Sequence, residues 1–396
     1  MTATSFCLCT IKAIKMNNSE KSDLFVTCAS GLEPLLAQEL IEMGFDAITP
    51  KYRGVYVADS SIEAIYRINY CSRIASRVLL PLSRFRCRDK RALYEGANAV
   101  DWLKYIPEDK TFAVDANVTH PGIRNSLFAA QVVKDAVCDQ FRAKTGDRPI
   151  VNPRSPDVQL NLFIYEDFGI ISIDTSGEPL HKRGYRQENV EAPIRESLAA
   201  AILRLAQYRG DEILYDPCCG SGTFLIEAAM LSAYTPAGFF RTRWGFMLMP
   251  EFSHPAWLKI KLEADAKRIP IVKDRFFGSD IGKNAVHASK VNLRSAGFHQ
   301  AVEIIQCDFR EYTPRIPPTF LIANPPHGRR LDDVEFLRPL YRALGDFMKR
   351  QMPKSSRGFV FTGNLELAKE VGLAPTQRHV LDNSGIDSRL LEYQIY

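Results

Sequence analysis

The sequence predicts an α/β protein: a doubly wound, mostly parallel sheet over residues 192–396, preceded by two smaller α+β units. Three observations carry this expectation. Four short apolar runs in the C-terminal half, at 213–215, 276–279, 302–307 and 320–323, each lead into a polar residue: Asp216, Asp280, Asp308 and Asn324. Helical stretches separate them, the alternation that builds a sheet covered by helices on both faces. The first run opens into a loop with two glycines, Gly220 and Gly222, followed by an apolar helix. In the N-terminal half the apolar pattern shortens to a period of two, clearest at 158–163, as for strands with one buried face.

Residues 1–22 hold Cys7, Cys9 and scattered lysines but no uninterrupted apolar core, so they are expected to be a disordered leader rather than a signal peptide, with Met16 as an alternative start. Residues 23–93 read as the first unit. Its expected elements are a strand at 24–28, a helix at 33–43 with Leu35, Leu36, Leu40 and Ile41 on one face, a strand at 54–58, a helix through Ile62, Ile65, Tyr66 and Asn69, and a strand at 78–83. Residues 94–176 form the second unit, with a strand at 112–118, a helix at 126–145 stopped by Gly146, and a hairpin from 157–165 and 169–174. Residues 177–191 read as a linker. Beyond it, a helix at 195–207 precedes the first strand of the C-terminal sheet, and a helix at 334–350 and strands at 358–362 and 387–396 close it. The connection from 231 to 276 far exceeds the roughly 2–6 residues such connections commonly need. Its Trp244 and Trp257 serve either packing or a substrate pocket.

The polar ends of the apolar runs carry the chemistry. Asn324-Pro325-Pro326-His327 follows a buried run and suits a site acting on an amine whose lone pair is delocalised into a ring or carbonyl. The Asn324 amide oxygen and the Pro325 carbonyl, held by a stiff Pro-Pro backbone, are candidate acceptors for its two N–H groups. In Asp216-Pro217-Cys218-Cys219-Gly220-Ser221-Gly222-Thr223 the glycines allow close backbone approach to a ligand at a helix start. The spacing matches neither a dinucleotide fingerprint nor a P-loop, and suits S-adenosylmethionine. Asp280 is placed to accept ribose hydroxyls and Asp308 an adenine amino group, although either acid alone also serves as a helix N-cap. Asn324 lies close enough along this series to border the cofactor as well.

These segments resemble the bacterial THUMP-domain RNA methyltransferases, specifically those similar to the guanine-N2 methyltransferase of 23S ribosomal RNA without the second, fused methyltransferase. The resemblance rests on Cys28-Ala29-Ser30-Gly31-Leu32-Glu33, Leu180-His181-Lys182-Arg183-Gly184-Tyr185-Arg186, Ala192-Pro193-Ile194-Arg195-Glu196, Asp216 through Thr223, Asn324 through His327, and Asp382-Asn383-Ser384-Gly385. It implies a Rossmann-like class I methyltransferase domain with a seven-stranded sheet, preceded by a ferredoxin-like unit and an RNA-binding THUMP domain. It also implies S-adenosylmethionine as cofactor, structured RNA as partner and N2-methylguanosine in 23S ribosomal RNA as product. The chain departs from the family at His327, where Tyr or Phe is usual. An imidazole still stacks, with less area and a titratable charge.

Composition bounds the remainder. The 396 residues are 46% hydrophobic and 24% charged with a formal net charge of +5, and no run approaches the roughly 18 apolar residues of a membrane helix. The nine cysteines are scattered without zinc-type spacing, which fits a reducing cytoplasm and suggests no metal. Cytosine-C5 chemistry would need a cysteine beside the catalytic proline, and the Asn324 segment has none. The N-terminal half carries nearly as many acids as bases, so RNA affinity must come from local clusters. Arg84, Arg86 and Arg88 alternate as on one strand face, with a solvated strand as the competing reading. His181, Lys182, Arg183 and Arg186, interleaved with Tyr185, combine charge with a stackable ring. Alternative readings are a transfer-RNA guanine-N2 methyltransferase, an adenine-N6 DNA methyltransferase, and a non-catalytic RNA-binding ribosome assembly factor.

Overall fold

Two sheets of seven strands organise the computed structural model, which describes residues 23–396 apart from Pro121, Arg124, Ala192, Arg329, Arg330 and Ser384. The leader expected at 1–22, the Ala192 boundary and Ser384 of the closing segment lie outside the described residues. The N-terminal half runs β1 (Leu24–Thr27), α1 (Glu33–Glu42), β2 (Ile48–Lys51), β3 (Gly54–Val57), α2 (Ile62–Cys71), β4 (Arg77–Arg86), α3 (Lys90–Asn98), α4 (Trp102–Tyr105), β5 (Phe112–Thr119), α5 (Ser126–Thr145), β6 (Val158–Tyr165) and β7 (Phe168–Asp174). Helix α5 ends at the glycine expected to stop it. Asn125 accepts the Leu127 and Phe128 N–H groups at the start of α5, and Gly146 ends it at φ 86°.

The two N-terminal units share one sheet, in the order β2-β3-β1-β4-β7-β6-β5. β4 joins them, pairing with β1 on one edge and with β7 on the other, from Leu79↔Asp174 to Arg86↔Phe168. The sequence reading ended this strand at Ser83. It continues because Phe85 points inward between Arg84 and Arg86, filling the space beside Gly96 and Gly169, where a Cβ would lie only 2.4–2.7 Å from its ring. β2 was not expected either. It is an edge strand with a proline and mostly exposed side chains, so no buried alternation marks it.

The C-terminal half runs α6 (Glu196–Leu205), β8 (Leu214–Asp216), α7 (Thr223–Ser232), α8 (His254–Asp265), β9 (Phe276–Asp280), α9 (Lys283–Ser295), β10 (Val302–Gln306), β11 (Phe320–Ala323), α10 (Leu331–Gln351), β12 (Arg357–Thr362), α11 (Leu365–Lys369), β13 (Gln377–Asn383) and β14 (Ile386–Gln394). Its order is β10-β9-β8-β11-β12-β14-β13, parallel from β10 to β12 and antiparallel beyond. All four residues of β11 are buried, as a central strand covered on both faces requires.

The long connection from α7 to β9 packs the halves together. Trp244 and Trp257 are 5% and 6% exposed. Trp257 meets Tyr66 and Tyr70 of α2 with ring centroids 5.7 and 5.3 Å apart, and Trp244 stacks on Phe246 at 5.6 Å. The Tyr66 hydroxyl accepts the Ser253 N–H at 2.8 Å, and the Tyr70 hydroxyl donates to Asp265 at 2.7 Å. Of the two roles open to these tryptophans, the structure gives packing. Trp257→Ala should therefore destabilise the whole chain by about 3–5 kcal/mol, read as a lower denaturant midpoint with cofactor contacts untouched, and Trp257→Phe should recover much of the loss.

Candidate active site

Parallel register brings the expected polar residues to one edge of the C-terminal sheet. Leu321 lies opposite Tyr215, Asp216 opposite Gly278, and Gln306 opposite Asp280. The carboxyl ends of β8, β9, β10 and β11 therefore converge where the strand order reverses between β8 and β11, the place where open α/β sheets bind ligands.

The glycine loop spans this edge from β8 to α7. Gly220 and Gly222 adopt φ 52° and 80°, left-handed values that strain any residue with a Cβ. A Cβ at Gly220 would meet only Val190, at 3.7 Å, so a larger side chain there would stand in open space. Gly220 donates its N–H to Asp280 Oδ2 at 3.0 Å, and Asp280 Oδ1 accepts the Gly282 N–H at 2.9 Å. Asp216 is 1% exposed and accepts the Cys218 N–H at 3.1 Å. Burial pushes its carboxyl up to about 8, opposed by the Cys218 N–H and assisted by the Asp280 charge. Burial likewise raises the Cys218 and Cys219 thiols far above their usual range, which keeps them neutral and unsuited to nucleophilic attack. Asp308 is held in a fork by Arg310, which with hydrogen bonding lowers its carboxyl below the usual range. An adenine amine would share that carboxylate with Arg310.

At the end of β11, Asn324 Oδ1 is buried and has no hydrogen-bond partner among the described residues. The residues after it are firmly held. Tyr341 of α10 donates its hydroxyl to the Pro326 carbonyl at 3.2 Å and lies 2.9 Å from Thr362 Oγ1. Thr362 Oγ1 is 3.3 Å from His327 Nδ1, and Asn364 Nδ2 donates to the His327 carbonyl at 3.0 Å. Burial lowers the His327 pKa, so the ring is neutral at pH 7. Tyr341, Thr362 and Asn364 escaped the sequence reading, because their role depends on α10 and β12 folding back onto a segment some 15–37 residues earlier.

The segment 181–186 corrects an expectation. Arg183 and Tyr185, read as RNA contacts, are each 1% exposed. Arg183 donates to the Leu180 and Arg73 carbonyls and lies 3.5 Å from Glu227 of α7, which also accepts the Tyr185 hydroxyl at 3.1 Å. Burial raises the Glu227 carboxyl, against the lowering effect of Arg183 and Arg73. His181 is brought down to about 4 mainly by burial, so it offers no charge to a phosphate at neutral pH. Of the side chains in this segment read as RNA contacts, only Lys182 is exposed, and it pairs with Glu178 at 2.8 Å. Arg186 faces the glycine loop, donating to Ser221 Oγ at 2.7 Å, Thr223 Oγ1 at 2.8 Å and Glu196 at 2.7 Å. The segment is an internal brace for the loop. The arginine cluster behaves differently: Arg84, Arg86 and Arg88 are all exposed, but only Arg84 and Arg86 share a strand face, since β4 ends at Arg86 and Arg88 lies beyond it.

Comparison with known proteins gives the family. Residues 183–391 match the family described as RMKL-like, methyltransferase domain. The chain belongs to that family. Residues 87–174 of this RMKL-like methyltransferase match the THUMP domain, and residues 23–79 match the RlmL ferredoxin-like domain. The chain is 36% identical to the ribosomal RNA large subunit methyltransferase K/L of Methylococcus capsulatus, over 94% of this chain and 51% of that protein. It is 33% identical to slr0064 of Synechocystis, named as an RNA methyltransferase, over 94% and 96% of the two chains. The chain thus spans about half the length of the K/L relatives it matches. The solved structure of SMU.472, assigned as a methyltransferase and complexed with SAH, superposes with a TM-score of 0.83 at 27% identity, covering 95% of this chain and 98% of that one.

Two outcomes follow from the loop. Arg186→Ala should weaken cofactor binding at least tenfold in calorimetry while the melting temperature falls only modestly, and Arg186→Lys should restore part of the affinity. Asp216 carries a cost that depends on pH. Its folded pKa lies above the ordinary carboxylate value of 3.8, so the folded state binds the proton more tightly. The cost is absent below about pH 4, accumulates as pH rises to about 8 and is constant above. The melting temperature of Asp216→Asn should therefore gain on the parent across pH 4–8, while cofactor affinity falls.

Proposed function

We propose that this RMKL-like methyltransferase uses S-adenosylmethionine to methylate guanine N2 in 23S ribosomal RNA, by direct transfer to a base turned out of its stack. The family, the K/L relatives and the SAH complex of SMU.472 support the cofactor and the substrate class. The observation that carries the nitrogen chemistry is Asn324 Oδ1, buried and without a partner among the described residues at the carboxyl end of β11. Burying an acceptor unsatisfied costs about 1–3 kcal/mol, which a substrate N–H would offset.

The residues fit the cofactor. Asp216, Pro217, Gly220, Gly222 and Thr223 would hold its amino-acid end, Asp280 the ribose and Asp308 the adenine, with Asn324 at the border between cofactor and base. When bound it supplies an electrophilic methyl group on a sulfonium centre. Asn324 accepts one N–H of the target amine. The Pro326 carbonyl is already taken by Tyr341, so the Pro325 carbonyl is the second acceptor. Accepting both N–H groups draws electron density back to the nitrogen and orients its lone pair, which is catalysis by positioning and polarisation, and the methylated nitrogen then releases one of its two protons to solvent. His327 stacks on the base, its ring steadied by Thr362 and set edge-on to Phe361 at 6.5 Å. Guanine N2 lies in the minor groove of a helix, so the base must leave its stack to reach these groups. Arg84, Arg86 and Arg88 on the THUMP side grip the RNA backbone.

Mass-spectrometric mapping of methylated guanines in ribosomal and transfer RNA, with and without the protein, tests the assignment. N2-methylguanosine should appear in 23S RNA, and its appearance in transfer RNA alone would reassign the substrate. Asn324→Ala should abolish turnover and leave cofactor binding intact, whereas Gly220→Val should abolish binding. Removing the ring with His327→Ala should cost about 1–3 kcal/mol of base affinity, and His327→Tyr should keep or raise activity. A protonated imidazole would repel the sulfonium, so activity should fall with decreasing pH. Because burial lowers the His327 pKa from 6.5, that limb should lie below pH 6.5 and vanish in the Tyr variant.

A further inference from the structure

We infer that the open face of the N-terminal sheet, where β4, β7 and β6 meet, is a stacking platform for unpaired RNA. The inference rests on RNA being the substrate. Strand register places its residues together. Arg84 lies opposite Ile170, and Ile170 opposite Phe163. One row further along, Arg86 lies opposite Phe168, and Phe168 opposite Tyr165. Side chains directly opposite one another point to the same face, so two arginines and three aromatic rings share one surface. Phe163, Tyr165 and Phe168 are 45%, 37% and 39% exposed. The alternating residues between them, Leu162 and Ile164, are fully buried, so the opposite face carries the core.

Three large rings partly exposed side by side form an apolar patch, and such patches mark interaction sites. The charge beside them identifies the partner. Arg77, earlier on β4, and Arg91, on α3, are paired with Asp174 and Glu95, whereas Arg84 and Arg86 make no ion pair among the described residues. Arg84 rests over the Tyr56 ring at 6.0 Å. Unpaired cations along one strand suit a phosphate backbone, and flat rings beside them suit bases whose faces are free. Phe163 and Tyr165 are two residues apart on one strand, roughly 7 Å, which leaves room for a base on each. A duplex keeps its base faces stacked inside and offers such rings nothing. A second copy of the chain would bring a like row of arginines against this one or leave it unmatched.

The test uses the full chain and a labelled 12-nucleotide RNA of mixed sequence, free or annealed to its complement, with binding followed by anisotropy across a salt series. The wild type should prefer the single strand. The combined Phe163→Ala, Tyr165→Ala and Phe168→Ala variant should bind it at least tenfold more weakly with an unchanged salt slope. Arg84→Gln with Arg86→Gln should flatten the slope by about 0.7 for each lost phosphate contact. Phe163→Leu with Phe168→Leu keeps apolar bulk while removing the rings, and should also weaken binding tenfold if the alanine variant does not fold. Unchanged single-strand affinity in the leucine variant, a preference for duplex, or a shift from dimer to monomer with RNA affinity retained would each overturn the platform. Methylation of ribosomal RNA by the wild type with oligonucleotide binding unchanged in the variants would overturn the platform alone. Ring-dependent binding without any methyl transfer to RNA would overturn the functional reading and leave the platform standing.

Discussion

The buried guanidinium of Arg183 is the constraint on which the arrangement of the two halves depends. Taking a charge out of water costs several kcal/mol unless it is paired and hydrogen-bonded. This one finds its partners only when three separate segments are in place: the carbonyl of Arg73 just beyond α2, the carbonyl of Leu180 in the linker, and Glu227 on α7, which lies 3.5 Å from an Nε that makes no hydrogen bond among the described residues. The linker is thereby pinned between the N-terminal half and the first helix of the C-terminal sheet. Three residues later Arg186 reaches Ser221 and Thr223, and Asn292 of α9 joins the linker to the same loop through the Gln187 and Glu188 N–H groups and the Ser221 carbonyl. The shape of the glycine loop is thus inherited from a segment outside the sheet that carries it.

The site spends stability to be ready. Asp216 keeps a buried carboxyl that accepts the Cys218 N–H, and Asn324 keeps an amide oxygen buried with no partner among the described residues. Each would be improved, for folding alone, by a residue of the same shape without the exposed chemistry. Sites of this kind are where a sequence departs from its own structural logic. The surrounding scaffold absorbs the cost, since Tyr341, Thr362 and Asn364 hold the proline segment from three directions, and the acceptors need not reorganise when a base arrives.

Much of this was legible in the sequence, for reasons that differ by element. The strands of the C-terminal sheet are continuous apolar runs ending in a polar residue, and 276–279 and 320–323 fall within a residue of β9 and β11 as observed. Helix α5 was bounded by its own caps. The edge strands β2 and β13 left no such mark, because exposed strands lack the alternation that burial imposes. The misreading of Arg183 and Tyr185 has a particular cause. Charge beside an aromatic residue has the same composition whether it faces a phosphate or braces an interior, and only the carboxylate at Glu227, 42 residues beyond Tyr185, distinguishes the two. Trp244 and Trp257 posed the same ambiguity and were resolved by Tyr66 and Tyr70, far upstream.

β4 belongs to both N-terminal units at once, hydrogen-bonded to β1 on one side and β7 on the other. The two therefore cannot be separated as modules by cutting the chain between them. A fragment ending after β4 would expose a ten-residue strand with an unpaired edge, and one beginning after it would leave β7 equally bare, both being templates for aggregation. In gene fusions and truncations this region would be inherited whole or not at all, and any pull on the far end of the sheet would reach the linker as the motion of a single plate.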